Sequence, residues 1–161
     1  INRSVIEHLN LIHDSGVQFI WQTGKYYYQK ISDSMKGKEL PNLKVMDFIS
    51  DMGAAYKAAD LIISRAGASS ISEFQIIGKP VILIPSPNVA EDHQTKNAMA
   101  LVNKQAAIYV KDAEAPDTLL PLALKVIADD SKLKSLSENV KKMGLKNSAD
   151  IIADEVLKLI K

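Results

Sequence analysis

The chain has 161 residues and a mass of 17.7 kDa, the size of one domain with a substantial core and too small for two. Apolar residues at 47% and charged residues at 24% match ordinary globular usage and exclude a disordered or collagen-like chain. Twenty Lys+Arg against 19 Asp+Glu leave a formal charge of +1, far from the basic balance of a domain that binds by neutralising phosphates, so no nucleic-acid partner is expected.

Residues 1–12 place Val5, Ile6, Leu9 and Ile12 at helical spacing, and Ser15-Gly16 stops that helix. Residues 17–21 follow as a strand, Thr23-Gly24 as a turn, and residues 26–35 as a weaker helix ending near Gly37. After Pro41 comes a short strand over 43–46, and Phe48-Ile49 continues its apolar run. Ser50 or Asp51 is suited to cap a helix through Tyr56 and Ala59, because a short oxygen-bearing side chain satisfies open N–H groups at a helix start. Residues 61–63 are short and wholly apolar, the mark of a strand buried on both faces. A turn around Gly67 leads to a helix over 70–77 closed by Gly78, and Pro80 blocks its continuation. The apolar strand 81–84 ends at Pro85 and Pro87, a helix covers 92–103, and a strand covers 107–110. From Pro116 the chain is helical, with breaks near Asp129-Asp130 and Gly144 and a last amphipathic helix capped by Asn147 or Ser148.

Strands apolar on both faces, alternating with helices, specify an α/β fold: a doubly wound parallel sheet with helices on both faces. Ligands of such sheets bind outside the carboxyl ends of the strands, so the loops after Trp21, Met46, Ile63 and Ile84 are where chemistry belongs. The chain has no cysteine, and His8, His13 and His93 are scattered, so no disulfide, thiolate nucleophile or metal site is expected and a cytosolic compartment is compatible. The longest apolar runs fall far short of the roughly 20 residues that cross a bilayer. The opening Ile1-Asn2-Arg3-Ser4 has neither an initiator Met nor a signal-peptide core, and the expectation is an excised piece of a longer chain.

Two stretches carry the chemistry. In Ser64-Arg65-Ala66-Gly67-Ala68-Ser69-Ser70-Ile71-Ser72-Glu73, small residues let an anion approach the backbone, and the start of the following helix offers N–H groups and a positive dipole end. Neither G-x-G-x-x-G nor the Walker motif is present, which disfavours a P-loop ATPase. Ser70-Ile71-Ser72-Glu73 reads as a capping box, with Glu73 bonding back to the helix start; the rival role for Glu73 is to accept from both hydroxyls of a ribose. Arg65 faces phosphate or, as a surface arginine, pairs with Asp60 or Glu73. In the second stretch, a proline-stiffened loop feeds His93, Gln94 and Asn97 into the first turns of a helix, where His93 and Asn97 share a face and the amides suit sugar hydroxyls; the alternative is a solvated polar turn. Glu91 and Asp92 are adjacent and fit helix-start charge better than a glycosidase carboxylate pair. No G-x-S-x-G elbow is present.

These stretches resemble the C-terminal, nucleotide-sugar-binding half of the MurG-type glycosyltransferases, bacterial enzymes that add N-acetylglucosamine to undecaprenyl-pyrophosphoryl-N-acetylmuramyl-pentapeptide, making lipid II in peptidoglycan synthesis. The matching residues run from Asp47-Phe48-Ile49-Ser50-Asp51-Met52 through Ala55-Tyr56 and Ser64-Arg65-Ala66-Gly67-Ala68. They continue through Ser72-Glu73, Gly78-Lys79-Pro80, Ile84-Pro85-Ser86-Pro87 and Asp92-His93-Gln94 to Asn97-Ala98. A looser likeness takes in Trp21-Gln22-Thr23-Gly24 and the C-terminal helices. The resemblance implies one Rossmann-like half of a GT-B enzyme that inverts the anomeric centre without a metal ion or other cofactor. It implies that Ile49 holds uracil through its backbone and Glu73 the ribose hydroxyls. The diphosphate falls to the backbone of Ala68, Ser69 and Ser70, and the sugar to His93 and Gln94; some relatives carry glutamine at the position of His93.

On that reading residues 1–161 are a single donor-binding domain. It lacks its first, central strand with a Gly-Gly-Ser-type loop, and the N-terminal domain that holds the acceptor site, the membrane-contacting surface and the catalytic base. No catalytic residue is then expected in this chain, which alone should not transfer sugar, and the whole protein is expected to be cytoplasmic and peripheral on the inner face of the plasma membrane. The alternatives are a UDP-N-acetylglucosamine 2-epimerase-like domain and a non-enzymatic Rossmann-like binding module.

Overall fold

Val81, Ile82, Leu83 and Ile84 are all fully buried, and alternate side chains of this strand enter two different cores. That division follows from the two-residue period of a strand, and it requires an apolar layer on each face of the sheet. The computed structural model describes residues 1–160. In chain order the elements are α1 (Asn2–Glu7), α2 (Leu9–Asp14), β1 (Phe19–Gln22), α3 (Lys25–Ser34), β2 (Leu43–Met46), α4 (Met52–Ala58) and β3 (Ile62–Ser64). They continue with α5 (Ala68–Ile77), β4 (Val81–Leu83), a 3-10 turn at Ala90–Asp92, α6 (His93–Val102), β5 (Ile108–Tyr109), α7 (Ala115–Ile127), α8 (Asp130–Lys142) and α9 (Ser148–Lys158).

One core gathers Val5 and Ile12 of α1 and α2, Ile31 of α3, and Leu119, Leu120 and Ala123 of α7 against Trp21, Ile82 and Ile84. The other gathers Ile71 and Phe74 of α5, Ala98 and Leu101 of α6 and Val140 of α8 against Val81 and Leu83, with Tyr56 of α4 packed on it. Each fully buried Leu, Ile or Phe contributes about 1.5–3 kcal/mol, so the two-faced burial is the main source of stability. By contrast α9 buries none of its side chains, and Ile152, Val156 and Leu157 are exposed on it.

All strands pair in parallel, but in two ladders: β1 with β2, Phe19 opposite Leu43, and β3-β4-β5, with Ile63 opposite Ile82 and Ile82 opposite Ile108. The parallel strands thus fall into two groups, and side chains from both meet in the first core.

Local differences from the expected elements have local causes. The first helix breaks at His8 (φ −120°, ψ 27°) into α1 and α2, and the His8 ring hydrogen-bonds the Ser4 carbonyl one turn back. β1 starts at Phe19 because Asn42 binds what precedes it: its Nδ2 donates to the carbonyls of Ile12 and Val17, and its carbonyl accepts from Phe19 N–H at 2.7 Å. Asp51 is the cap of α4, its Oδ1 accepting from Ala54 N–H at 2.8 Å. Gly78 ends α5 at φ 67°, a left-handed conformation that glycine adopts without strain, and a Cβ there would also crowd Lys141 at 3.1 Å.

Candidate functional site

Parallel pairing puts the carboxyl ends of the strands of each ladder on one edge. Helix α5 starts at Ala68, two residues earlier than expected, with Gly67 as its N-cap. Glycine offers no side-chain acceptor, so the first-turn N–H groups of Ala68, Ser69 and Ser70 have no side-chain cap, and the first turn contains no acidic residue. Open donors and an uncompensated positive dipole end make this an anion-accepting terminus. Ser72 donates its hydroxyl to the Ala68 carbonyl at 3.1 Å.

The capping box does not form. Glu73 lies in the second turn of the helix, and its Oε2 accepts a hydrogen bond from the hydroxyl of Tyr56 at 2.6 Å. Burial and, after it, the hydrogen bond and charge of Glu73 push the Tyr56 hydroxyl well above the usual tyrosine range. The earlier helix start is the reason: Ser70 is the third residue of the helix and cannot act as its N-cap.

Arg65 pairs with neither Asp60 nor Glu73. Its Nη1 donates to the carbonyls of Ile84 and Pro85, each at 3.2 Å, and makes an ion pair with Asp112. One guanidinium therefore ties the end of β3 to the segments after β4 and β5.

The start of α6 forms a second set of ties. Gln94 Oε1 accepts from Ser86 N–H at 2.9 Å and from Ala66 N–H at 3.3 Å, and Asn97 Nδ2 donates to the Ala66 carbonyl at 3.1 Å. With Oε1 held by two donors, the Nε2 group of Gln94 is the part left for a ligand. His93 is exposed, and its Nδ1 lies 2.8 Å from the Ala90 carbonyl. A carbonyl only accepts, so Nδ1 carries a proton and Nε2 is the ring atom left for a ligand. Glu91 and Asp92 precede it with φ of 52° and 51°, a strained pair of non-glycine left-handed residues. Asp92 is the N-cap residue of α6 and accepts from the Thr95 hydroxyl at 2.6 Å.

After β2, Ile49 donates its N–H to Gln22 Oε1 at 2.8 Å, across from the end of β1. Beside it, Phe48 is 57% exposed, with the Lys25 ammonium 5.9 Å from its ring centre. Sequence reasoning missed Tyr56, Gln22 and Asp112. For Gln22 there was a signal, since the strand period that turns Trp21 inward turns its neighbour out. For Tyr56 and Asp112 the partners lie 17 and 47 residues away, with no local signal.

No hydrogen bond joins Ile49, Glu73 and His93 to one another among the described residues; each is held by its own neighbour. Among the described residues no group of three His, Asp or Glu side chains is gathered to hold a metal ion.

The glycosyltransferase family 28 C-terminal domain model matches residues 1–152 of this chain. The chain belongs to that family. This family 28 domain is 64% identical over 161 residues to the UDP-N-acetylglucosamine--N-acetylmuramyl-(pentapeptide) pyrophosphoryl-undecaprenol N-acetylglucosamine transferase of Bacteroides fragilis, covering 99% of this chain and 42% of that protein. It is 62% identical over 161 residues to the transferase of the same name from Bacteroides thetaiotaomicron, covering 99% of this chain and 43% of that protein. It superimposes on the crystal structure of Acinetobacter baumannii MurG with a TM-score of 0.82 at 25% identity, over 98% of this chain and 45% of that one. The kitacinnamycin glycotransferase shares the fold, with a TM-score of 0.64 at 20% identity over 92% of this chain and 38% of that one. The α/β architecture of the family 28 domain is the Rossmann-like half of a GT-B glycosyltransferase. The chain spans less than half the length of the curated relatives it matches.

Proposed function

We propose that this family 28 domain binds UDP-N-acetylglucosamine as the donor half of an inverting hexosyltransferase that makes lipid II in peptidoglycan synthesis. The observation that carries the reading is the uncapped start of α5 with a carboxylate in its second turn: one helix offers N–H groups for a diphosphate and, at Glu73, acceptors for a ribose diol. The names of the 64% and 62% identical relatives support transfer over 2-epimerisation or a purely binding role.

In this mechanism the diphosphate sits on the backbone of Ala68, Ser69 and Ser70. As the bond from the anomeric carbon to the diphosphate breaks, negative charge grows on the leaving UDP, and prealigned N–H groups and the helix dipole stabilise that charge with little reorganisation. No metal ion or other cofactor is needed for this step. Glu73 accepts from the ribose hydroxyls, and the backbone of Ile49 takes the uracil edge. A uracil carbonyl at Ile49 N–H displaces Gln22 Oε1, one amide-type acceptor replacing another, so the exchange costs little. Gln94 Nε2 and His93 Nε2 meet the sugar hydroxyls.

Residues 1–161 form, on this proposal, one donor-binding domain whose first strand and partner domain belong to the rest of the protein. That the two groups of strands share a core while no strand pairing joins them among the described residues supports a strand between them. The partner domain supplies the lipid-linked acceptor site, the catalytic base and the peripheral contact with the inner face of the plasma membrane, in the cytoplasm. No helix among the described residues is long and apolar enough to cross a membrane.

Calorimetry with UDP-N-acetylglucosamine, UDP-glucose, ADP-glucose and GTP tests the donor assignment. UDP-sugars should bind in preference to the others, and Glu73→Gln should weaken UDP about 10- to 100-fold, the worth of one strong hydrogen bond to a charged acceptor. Equal UDP affinity in wild type and Glu73→Gln would remove Glu73 from the site.

A further inference from the structure

We propose that Tyr56 is a positioning residue for the nucleoside: by donating its hydroxyl to Glu73 Oε2 at 2.6 Å, it holds the carboxylate in the orientation that receives a vicinal ribose diol. The proposal rests on the donor-site reading above and adds to it a residue from another helix.

An exposed glutamate has three rotatable side-chain bonds, and a ligand that must order it loses affinity to that ordering. Glu73 is exposed on α5, but its partner is not mobile in the same way. The Tyr56 ring stands edge-on to Phe74, with centroids 5.9 Å apart and planes at 82°, and Phe74 is 1% exposed in the second core. The phenol is therefore a rigid arm from the core to the rim, ending on one carboxylate oxygen. An ionised carboxylate has about four acceptor sites. Tyr56 occupies one, and a diol needs two, so the hydroxyl orients Glu73 without using up its capacity. Burial and the Glu73 carboxylate both favour the protonated phenol, which keeps the donor in place at neutral pH. A plain staple between α4 and α5 would use the same bond but would not care what the ligand carries at its ribose.

That difference sets the experiment: calorimetry of wild type, Tyr56→Phe and Glu73→Gln with UDP and with 2′,3′-dideoxy-UDP. Tyr56→Phe keeps the ring and its packing, and near-UV circular dichroism reports that the fold is retained. The expected result is that Tyr56→Phe weakens UDP about three- to tenfold, the share of one oriented hydrogen bond, and leaves dideoxy-UDP unchanged. In the Tyr56→Phe/Glu73→Gln double variant the loss should equal that of Glu73→Gln alone, because both changes act through one carboxylate. If Tyr56→Phe binds UDP as tightly as wild type, or weakens both nucleotides alike, the positioning role is overturned while Glu73 keeps its own. If wild type fails to bind UDP or to distinguish it from dideoxy-UDP, the ribose reading of Glu73 falls, and the role of Tyr56 falls with it.

Discussion

The loops after β3 and β4 both carry small and polar residues into a helix start, yet they use them in opposite ways. The first leaves its helix donors uncapped and points a carboxylate outward, with Tyr56 as its only hydrogen-bond partner among the described residues. The second spends its polar groups on the protein: Gln94 accepts from Ala66 and Ser86, Asn97 holds Ala66, and Asp92 takes Thr95. Residues of the same chemical type at equivalent places in the fold are thus left open in one loop and used in construction in the other. In the second loop the proposal gives Gln94 both tasks, the Oε1 atom holding the loop and Nε2 left for the sugar.

The largest effect expected is on transfer itself. On the proposed reading both loops meet the donor, and the base for the attacking hydroxyl comes from the partner domain. If the proposal holds, residues 1–161 alone should show no transfer of N-acetylglucosamine to a lipid-linked acceptor, and the whole protein should transfer it equally well in EDTA. Robust turnover by the isolated chain, or loss of activity in EDTA, would show that the two loops do more, or less, than divide the donor between them.

The contrast between the loops is sharpest in stability. Gln94→Ala leaves the N–H groups of Ser86 and Ala66 without their acceptor and should cost roughly 1–3 kcal/mol in urea unfolding. Gln94→Glu retains an acceptor for both and removes only the outward donor, so it should cost much less. Both should narrow the preference for N-acetylglucosamine over N-acetylgalactosamine in the whole enzyme while UDP binds nearly as before. Glu73→Gln, in the first loop, makes no capping contact and should stay within about 0.5 kcal/mol of wild type. Equal destabilisation by Gln94→Ala and Glu73→Gln would erase the distinction.

The smallest effect concerns alkaline pH. The Tyr56 hydroxyl ionises at higher pH in the folded chain than in the unfolded one, so the folded chain keeps a proton that the unfolded chain releases. Its contribution to stability is fully present below about pH 10, the ordinary tyrosine value, and is lost as pH rises from there through the folded value. The stability difference between wild type and Tyr56→Phe should be flat from pH 7 to about pH 9 and shrink above about pH 10. Urea midpoints of the pair at three pH values check this, and other alkaline titrations cancel in the difference. A difference that grows with pH would contradict the assigned partner of Tyr56.

What the sequence by itself determined is whatever repeats over a few residues. The apolar run at 81–84, a cap of α4 at Ser50 or Asp51, the Gly78 stop and the order of helices and strands all follow from spacing and backbone preference, and the fold has each of them, with Asp51 as the cap. The strand-end loops were legible for the same reason, since parallel pairing fixes which end of every strand faces a ligand. Only the tertiary structure decided who answers each polar group. Ser70-Ile71-Ser72-Glu73 satisfies the capping-box spacing, yet α5 starts two residues earlier and Glu73 turns to Tyr56. Arg65 had acidic neighbours nearer in sequence but meets Asp112, 47 residues on, because β3, β4 and β5 lie side by side. The break at His8 belongs to the same class. Periodicity is a short-range property of one segment, whereas a hydrogen bond is a directional contact near 3 Å whose partner is chosen by which segments pack together.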